Sequence, residues 1–217
     1  MIRHLHIFLI WVVYIYLYTM SSEIKSYKID LPDANLLYFP NFLLEKVADE
    51  LFTKLLTTLH WEQHNIKLFG KTIAQPRLTA LYSSTNVNYS YSGLQLQPHP
   101  YTDELKNLNT LITQITKANF THCLANLYRD GNDSMGWHSD NEKELGKEPL
   151  IASISLGAVR NFQLKHIKNP ELKQSMFLEH GSLLIMKGST QEFWKHQLPK
   201  SKKINDPRIN LTFRTIF

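Results

Sequence analysis

His138, Ser139 and Asp140 form an H-x-D triplet directly after the glycine-containing turn 130–136. In extended backbone, residues two apart point to the same side, so one imidazole and one carboxylate converge. A lone triplet of this kind arises easily by chance in a chain with ten histidines, and surface histidines are then the plainer reading. His196 offers a third corner. Two imidazoles and one carboxylate are the set that holds iron(II) by one face and leaves the other open.

The last strand-like run changes the balance. In Arg208-Ile-Asn-Leu-Thr-Phe-Arg214 polar and apolar residues alternate, so Ile209, Leu211 and Phe213 share one face while both arginines lie on the other with Asn210 and Thr212. On a solvated sheet face two arginines are ordinary. Inside a barrel, two permanently charged guanidinium groups require an anion. A dicarboxylic acid meets that requirement, and Asn126 and Tyr128, again two apart, add an amide and a phenol. The constellation fits 2-oxoglutarate, whose keto acid end chelates iron while its far carboxylate pairs with arginine.

These residues need a frame. Short β-rich runs over 122–128, 150–156, 161–165, 182–187 and 209–216 are parted by Gly, Pro and Asn/Asp turns, which predicts strands. Upstream, Phe42, Leu43, Leu44, Val47, Leu51, Leu55 and Leu59 recur at intervals of three and four, predicting an amphipathic helix capped by Asn41. A second stripe runs through Leu105, Leu108, Leu111, Ile112 and Ile115. Helices first and strands later predict an α+β domain whose strand half closes as a sandwich or barrel.

A length of 217 residues with 43% hydrophobic content suits one large domain with a real core and excludes disordered and collagen-like chains. The single cysteine, Cys123, excludes an internal disulfide and a Cys-rich zinc site; it reads as a small core residue, and any metal falls to His and carboxylate. A net charge of +5 with 12% aromatic residues suits an anionic partner. Residues 7–18 are apolar or aromatic behind Arg3, like a signal-peptide core or short anchor. They fall short of the roughly 20 that span a bilayer, and no small-x-small cleavage site follows. Translation is therefore expected to start at Met20. Residues 1–19 are then an untranslated leader, with a signal anchor as the lesser reading, and 20–217 are one domain.

Several ordered motifs now act together: Asn126-Leu-Tyr128-Arg-Asp-Gly, Trp137-His138-Ser-Asp140-Asn141-Glu142, Ile151-Ala-Ser-Ile-Ser-Leu-Gly157, His180-Gly-Ser-Leu-Leu-Ile-Met186, Trp194-Lys-His196 and Pro207-Arg208-Ile-Asn210-Leu-Thr-Phe-Arg214. From about residue 68 onward they resemble the AlkB family of iron and 2-oxoglutarate dependent dioxygenases, in particular the nucleic-acid N-demethylases of its animal DNA-repair branch. The resemblance implies a double-stranded β-helix, or jelly roll, with N-terminal helices buttressing one sheet. It implies that His138, Asp140 and His196 bind iron. It also implies that Asn126, Tyr128, Arg208, Asn210, Thr212 and Arg214 line the 2-oxoglutarate pocket, with Arg208 on the distal carboxylate. With O₂ as the other co-substrate, the implied reaction hydroxylates an N-methyl group on a base, which then falls apart to formaldehyde while succinate and CO₂ leave.

A methylated base must leave its stack to reach such a metal. Tyr82, Tyr89 and Tyr91 are the candidate flat faces, with Tyr91 stacking opposite His138 by resemblance; half-buried strand tyrosines are the alternative. Glu142, with Asn141 beside it, falls where the family places an acidic residue near the exocyclic amine of the base; a plain loop carboxylate is its alternative. Phe69, Gly70 and Lys71 resemble a hairpin that wedges an apolar side chain into duplex, with Lys71 on a phosphate. Residues 75–82 resemble instead the relatives that favour single strands, so DNA with duplex tolerated is the expectation. Lys195, Lys200, Lys202 and Lys203 either neutralise phosphates near the site mouth or form a solvated loop. The expected protein is a monomer with alkylated DNA as partner, nuclear or cytoplasmic and nucleoid-associated, membrane anchoring by residues 5–18 being the lesser reading. RNA or protein as substrate of the same chemistry, and a non-catalytic nucleic-acid-binding module, are the alternatives.

Overall fold

The computed structural model describes residues 25–68, 70–85, 89–91 and 94–217. The apolar leader over 1–19 lies outside them.

Strand alternation builds two facing sheets. The larger contains β1 (Tyr27–Ile29), β2 (Asn35–Phe39), β5 (Leu78–Ser83), β8 (His99–Pro100), β9 (His122–Tyr128), β11 (Ile151–Gly157), β14 (Ser182–Lys187) and β16 (Arg208–Arg214). Their order is β1-β2-β14-β11-β16-β9-β5-β8, antiparallel except for β5 with β8. The smaller contains β10 (Met135–His138), β12 (Arg160–His166), β13 (Lys173–Leu178) and β15 (Trp194–Leu198), in the order β10-β15-β12-β13. Two hairpins stand apart, β3 (Asn65–Leu68) with β4 (Lys71–Ala74) and β6 (Tyr89–Tyr91) with β7 (Leu94–Leu96).

Period-two alternation divides the core. Leu183 and Ile185 of β14 pack on the helix side, whereas Leu184 and Met186 meet Phe162, Leu164, Leu178 and Trp194 of the smaller sheet. On β16 the same rule sends Ile209, Leu211 and Phe213 toward the helices and the polar residues between the sheets. This is the expected α+β jelly roll with N-terminal helices against one sheet.

Helix α1 (Glu45–Thr58) begins later than its apolar stripe suggests. Asn41 does not cap it; Leu44 holds the N-cap position with no side-chain hydrogen bond. The reason lies upstream, where the Leu43 amide donates to the Gly181 carbonyl at 2.9 Å and so leaves the helical ladder. Helix α2 (Asp103–Thr116) has a Thr102 side-chain cap and buries Leu105, Leu108, Leu111 and Ile112 as predicted. Lys54 of α1 pairs with Glu104 of α2. Burial alone would raise the Glu104 carboxyl, but Lys54 holds it below its ordinary value.

Two close approaches position the site. The N-terminal segment is strapped to α3 (Thr190–Phe193): Trp194 Nε1 donates to the Pro32 carbonyl at 2.8 Å, the Asn35 amide to Thr190 Oγ1 at 2.9 Å and Ser189 Oγ to the Asp33 carbonyl at 3.1 Å. At Gly131 the turn after β9 touches the loop before β16, with Gly131 N donating to the Ile204 carbonyl and Ser201 N to the Gly131 carbonyl, both at 2.8 Å. A Cβ added at Gly131 would lie 1.8 Å from the Ser201 carbonyl oxygen. Gly131→Ala is therefore expected to destabilise the fold by about 1–3 kcal/mol, read as a lower midpoint in urea.

Candidate metal centre and co-substrate pocket

The two imidazoles meet because β10 and β15 pair with His138 opposite His196, their ring centroids 4.1 Å apart. Asp140, two residues past the end of β10, places Oδ1 3.9 Å from His138 Nε2. One donor atom from each residue lies within 4.8 Å of the others, and among the described residues no other His, Cys, Asp and Glu cluster does this.

Neighbours fix each ligand. His138 Nδ1 donates to the Gly136 carbonyl at 2.8 Å, which leaves the Nε2 lone pair for a metal. The Asp140 amide donates to Gln191 Oε1 at 2.9 Å, and Ser139 Oγ to the Trp194 carbonyl at 2.9 Å. These two bonds tie the H-x-D segment to α3 and β15. Asp140 Oδ1 accepts from an Arg214 terminal nitrogen at 2.9 Å.

The electrostatics favour metal-ready protonation states. Burial would raise the Asp140 carboxyl, but Arg214 and the two imidazoles outweigh it and hold it at about 2. Burial, followed by the neighbouring His138, pushes His196 down to about 3, and burial likewise lowers His138. At neutral pH the trio offers two neutral imidazoles and a carboxylate.

All six residues expected to bind a co-substrate line the same cavity as the three ligands. Arg208, only 2% exposed, donates to Ser155 Oγ at 2.9 Å and lies 5.4 Å from the Tyr128 ring centroid. Its Nε has no hydrogen-bond partner, and it forms no ion pair among the described residues. Burial lowers its pKa to about 10, so it stays cationic. The sequence reading gave both arginines to an incoming anion. Arg214 is paired with Asp140, whereas Arg208 forms no ion pair among the described residues and is free to meet a ligand. Asn126 Oδ1 accepts from Arg77 Nε at 2.7 Å, Asn210 donates to Ser153 Oγ at 2.8 Å and Thr212 Oγ1 to Asn210 Oδ1 at 3.1 Å.

Several contributors escaped the sequence reading. Met135, Phe162, Leu178, Met186 and Leu198 form the apolar lining. Gln191 and Ser155 steady Asp140 and Arg208. Arg160 donates to the carbonyls of Asp130, Asp133 and Pro199 and faces the Tyr128 ring from 5.7 Å. The signal for Arg160 is its place just before the strand-like run 161–165.

The substrate side is more scattered. Phe69 lies outside the described residues; Gly70, with φ of 76°, and Lys71 are exposed at the β3–β4 turn. Tyr89 and Tyr91 bound β6, and their side chains are likewise outside the described residues. Tyr82 is a correction: it is 1% exposed, belongs to the core, and its hydroxyl accepts from the His60 amide at 2.9 Å, leaving no free face for a base. Asn141 is exposed, and Glu142 is the half-buried residue before the 3-10 turn Lys143–Leu145. Lys195, Lys200, Lys202 and Lys203 are exposed. Cys123 is fully buried, which pushes its thiol pKa up and suits a core residue.

With this geometry in place, comparison with known proteins is decisive about family. A model described as "2OG-Fe(II) oxygenase superfamily" matches residues 35–214. The chain belongs to this superfamily. It is 39% identical to the Homo sapiens alpha-ketoglutarate-dependent dioxygenase alkB homolog 3 over 188 residues, which cover 82% of this chain and 65% of that protein. It is 37% identical to the Homo sapiens DNA oxidative demethylase ALKBH2 over 179 residues, 78% of this chain and 69% of that one. The match therefore spans just under two thirds of the length of the alkB homolog 3 proteins. A solved structure of OsALKBH1 superposes with a TM-score of 0.61 at 17% identity, covering 88% of this chain and all of that one, which shows the shared fold.

The residues present fit what the superfamily uses. Two neutral imidazoles and a carboxylate suit ferrous iron, and the unpartnered Nε of buried Arg208 suits a carboxylate of 2-oxoglutarate. Two ordinary imidazoles would together cost about a hundredfold in Mn(II) affinity at pH 5.5; with both held low, calorimetry is expected to show a much smaller loss between pH 7.5 and 5.5. Arg208→Leu should weaken 2-oxoglutarate binding to the Mn(II) form by about a hundredfold or more while Mn(II) affinity stays near wild type.

Proposed function

We propose that this chain is an oxidative demethylase of N-alkylated nucleobases of the 1-methyladenine and 3-methylcytosine type in DNA, acting in direct-reversal alkylation repair. The observation that carries the reading is the single cavity joining the His138, Asp140 and His196 trio to the uncompensated cation of Arg208. The name of the ALKBH2 relative, a DNA oxidative demethylase, supports DNA as the substrate.

Iron with 2-oxoglutarate and O₂ supplies oxidation of an unactivated C–H bond, with the co-substrate leaving as succinate and CO₂. The protein's share is placement. Arg208 would hold a carboxylate of the keto acid, with Tyr128, Asn126 and Asn210 lining the same cavity. Arg214 keeps Asp140 ionised and correctly turned, and Phe162, Leu178 and Met186 exclude water from the wall. The hydroxymethylated base loses formaldehyde and is restored.

In this reading Tyr89, Tyr91, Asn141 and Glu142 receive the flipped base, and Phe69, Gly70 and Lys71 contact the strand it leaves. The domain works as a monomer, in the nucleus or in the cytoplasm with the nucleoid. Among the described residues no helix is long and apolar enough to cross a membrane.

The test is release of formaldehyde and succinate from oligonucleotides carrying 1-methyladenine or 3-methylcytosine, with iron, ascorbate and 2-oxoglutarate. His138→Ala should abolish turnover and leave oligonucleotide binding intact; no turnover by the wild type on either lesion would overturn the proposal. Phe69→Ala should reduce activity selectively on duplex, and equal loss on single and double strands would remove the wedge.

A further inference from the structure

The outer face of the smaller sheet carries like charges in register. Lys165 of β12 stands opposite Lys195 of β15 on one side and Lys173 of β13 on the other. Like charges directly opposite one another destabilise a sheet, and adjacent strands are only about 4.8 Å apart. None of the three forms an ion pair among the described residues; Lys165 Nζ lies instead 4.4 Å from the centre of the Trp137 ring.

Alternation sends this row away from the iron site. His196, next to Lys195, lines the cavity, and Leu164, next to Lys165, packs between the sheets. Beside the row a cleft is lined by Trp137, Gln163, Lys173 and Ser175, and Gln163 accepts from Gln197 Nε2 at 2.6 Å. Trp137 and Lys195 each immediately precede a metal ligand in the chain. Trp137 and Lys195 therefore lie on the side of β10 and β15 opposite the ligands that follow them, and Lys165 and Lys173 extend this face across β12 and β13.

We propose that this face is a track for the sugar-phosphate backbone of a single nucleic-acid strand flanking the base at the metal. Lys195, Lys165 and Lys173 are its phosphate contacts, and Trp137 is the rest that holds the Lys165 ammonium over the cleft. The proposal rests on the demethylase reading above. Charge complementarity selects the occupant. Three uncompensated ammonium groups in a row about 10 Å long match a regularly charged polyanion, and an acidic or phosphorylated peptide is the competitor to be tested.

The experiment compares wild type with the exposed-face double variant Lys165→Gln/Lys173→Gln. Fluorescence anisotropy follows a labelled single-stranded 15-mer with a central 1-methyladenine across 50–200 mM salt. Loss of two contacts should lower the slope of log affinity against log salt by about 1.4, so that the 50 to 200 mM affinity ratio shrinks about sevenfold. Succinate release from a trinucleotide with the same lesion should be unchanged, and the thermal midpoint should equal or exceed that of wild type, since like charge has been removed. An unchanged slope and affinity for the 15-mer would overturn the track, as would a larger loss of affinity for an acidic peptide of equal charge. If neither protein turns over any lesion, the demethylase reading fails by itself, and the slope still decides whether the face binds a strand.

Discussion

The iron site depends on one strand pairing, β10 against β15, that sets His138 opposite His196. Neither strand is long, and neither could fix an imidazole alone. The pairing supplies two corners of a triangle, and the third comes from a segment outside regular structure that is held at its amide by Gln191 and at its carboxylate by Arg214. A shift of one residue in the β10–β15 register would send one histidine to the outer face. The rest of the small sheet can be seen as insurance against that slip, since β12 pairs with β15 over Gln163–His166 and locks its register from the other side.

Charge is distributed with the same economy. Arg77, Arg160, Arg208 and Arg214 are all buried close to the cavity, and Arg214 pairs there with the buried carboxylate of Asp140. Arg77 is satisfied by Asn126, and Arg160 by backbone carbonyls. Arg160 and Arg208 also share the Tyr128 ring, one at 5.7 Å and the other at 5.4 Å, so the aromatic face partly offsets two nearby positive charges. Arg208, with no ion pair among the described residues and an unpartnered Nε, is the cation placed to attract an anion.

Much of this was readable from the sequence where a period was strong and its faces differed. The alternation in β16 specified which residues pack and which face the cavity, and β9 and β14 fell where predicted. The buried positions of the helix stripes were also correct except Leu44, which is 60% exposed at the N-cap, and the start of α1 was missed because the bond from Leu43 to Gly181 is a long-range contact with no local signature. Tyr82 misled for a related reason. A strand tyrosine looks the same whether its hydroxyl reaches a substrate or, as here, a backbone amide 22 residues earlier. Gln191, Ser155 and Arg160 act by supporting other residues, and their roles exist only once the sheets have closed.

The strap between residues 32–35 and the α3 region places a constraint on where this chain can be cut. The hydrogen bonds from Trp194 to Pro32, from Ser189 to Asp33 and from Asn35 to Thr190 run into or directly flank the short helix whose Gln191 holds the Asp140 amide. A fragment trimmed to begin at Asn35, where the family match starts, would discard two of those three anchors while leaving every ligand in place. Excision boundaries and fusion junctions for this protein are thus best set upstream of β1, because an aspartate more than a hundred residues away takes its bearing from the chain's entry into the sheet.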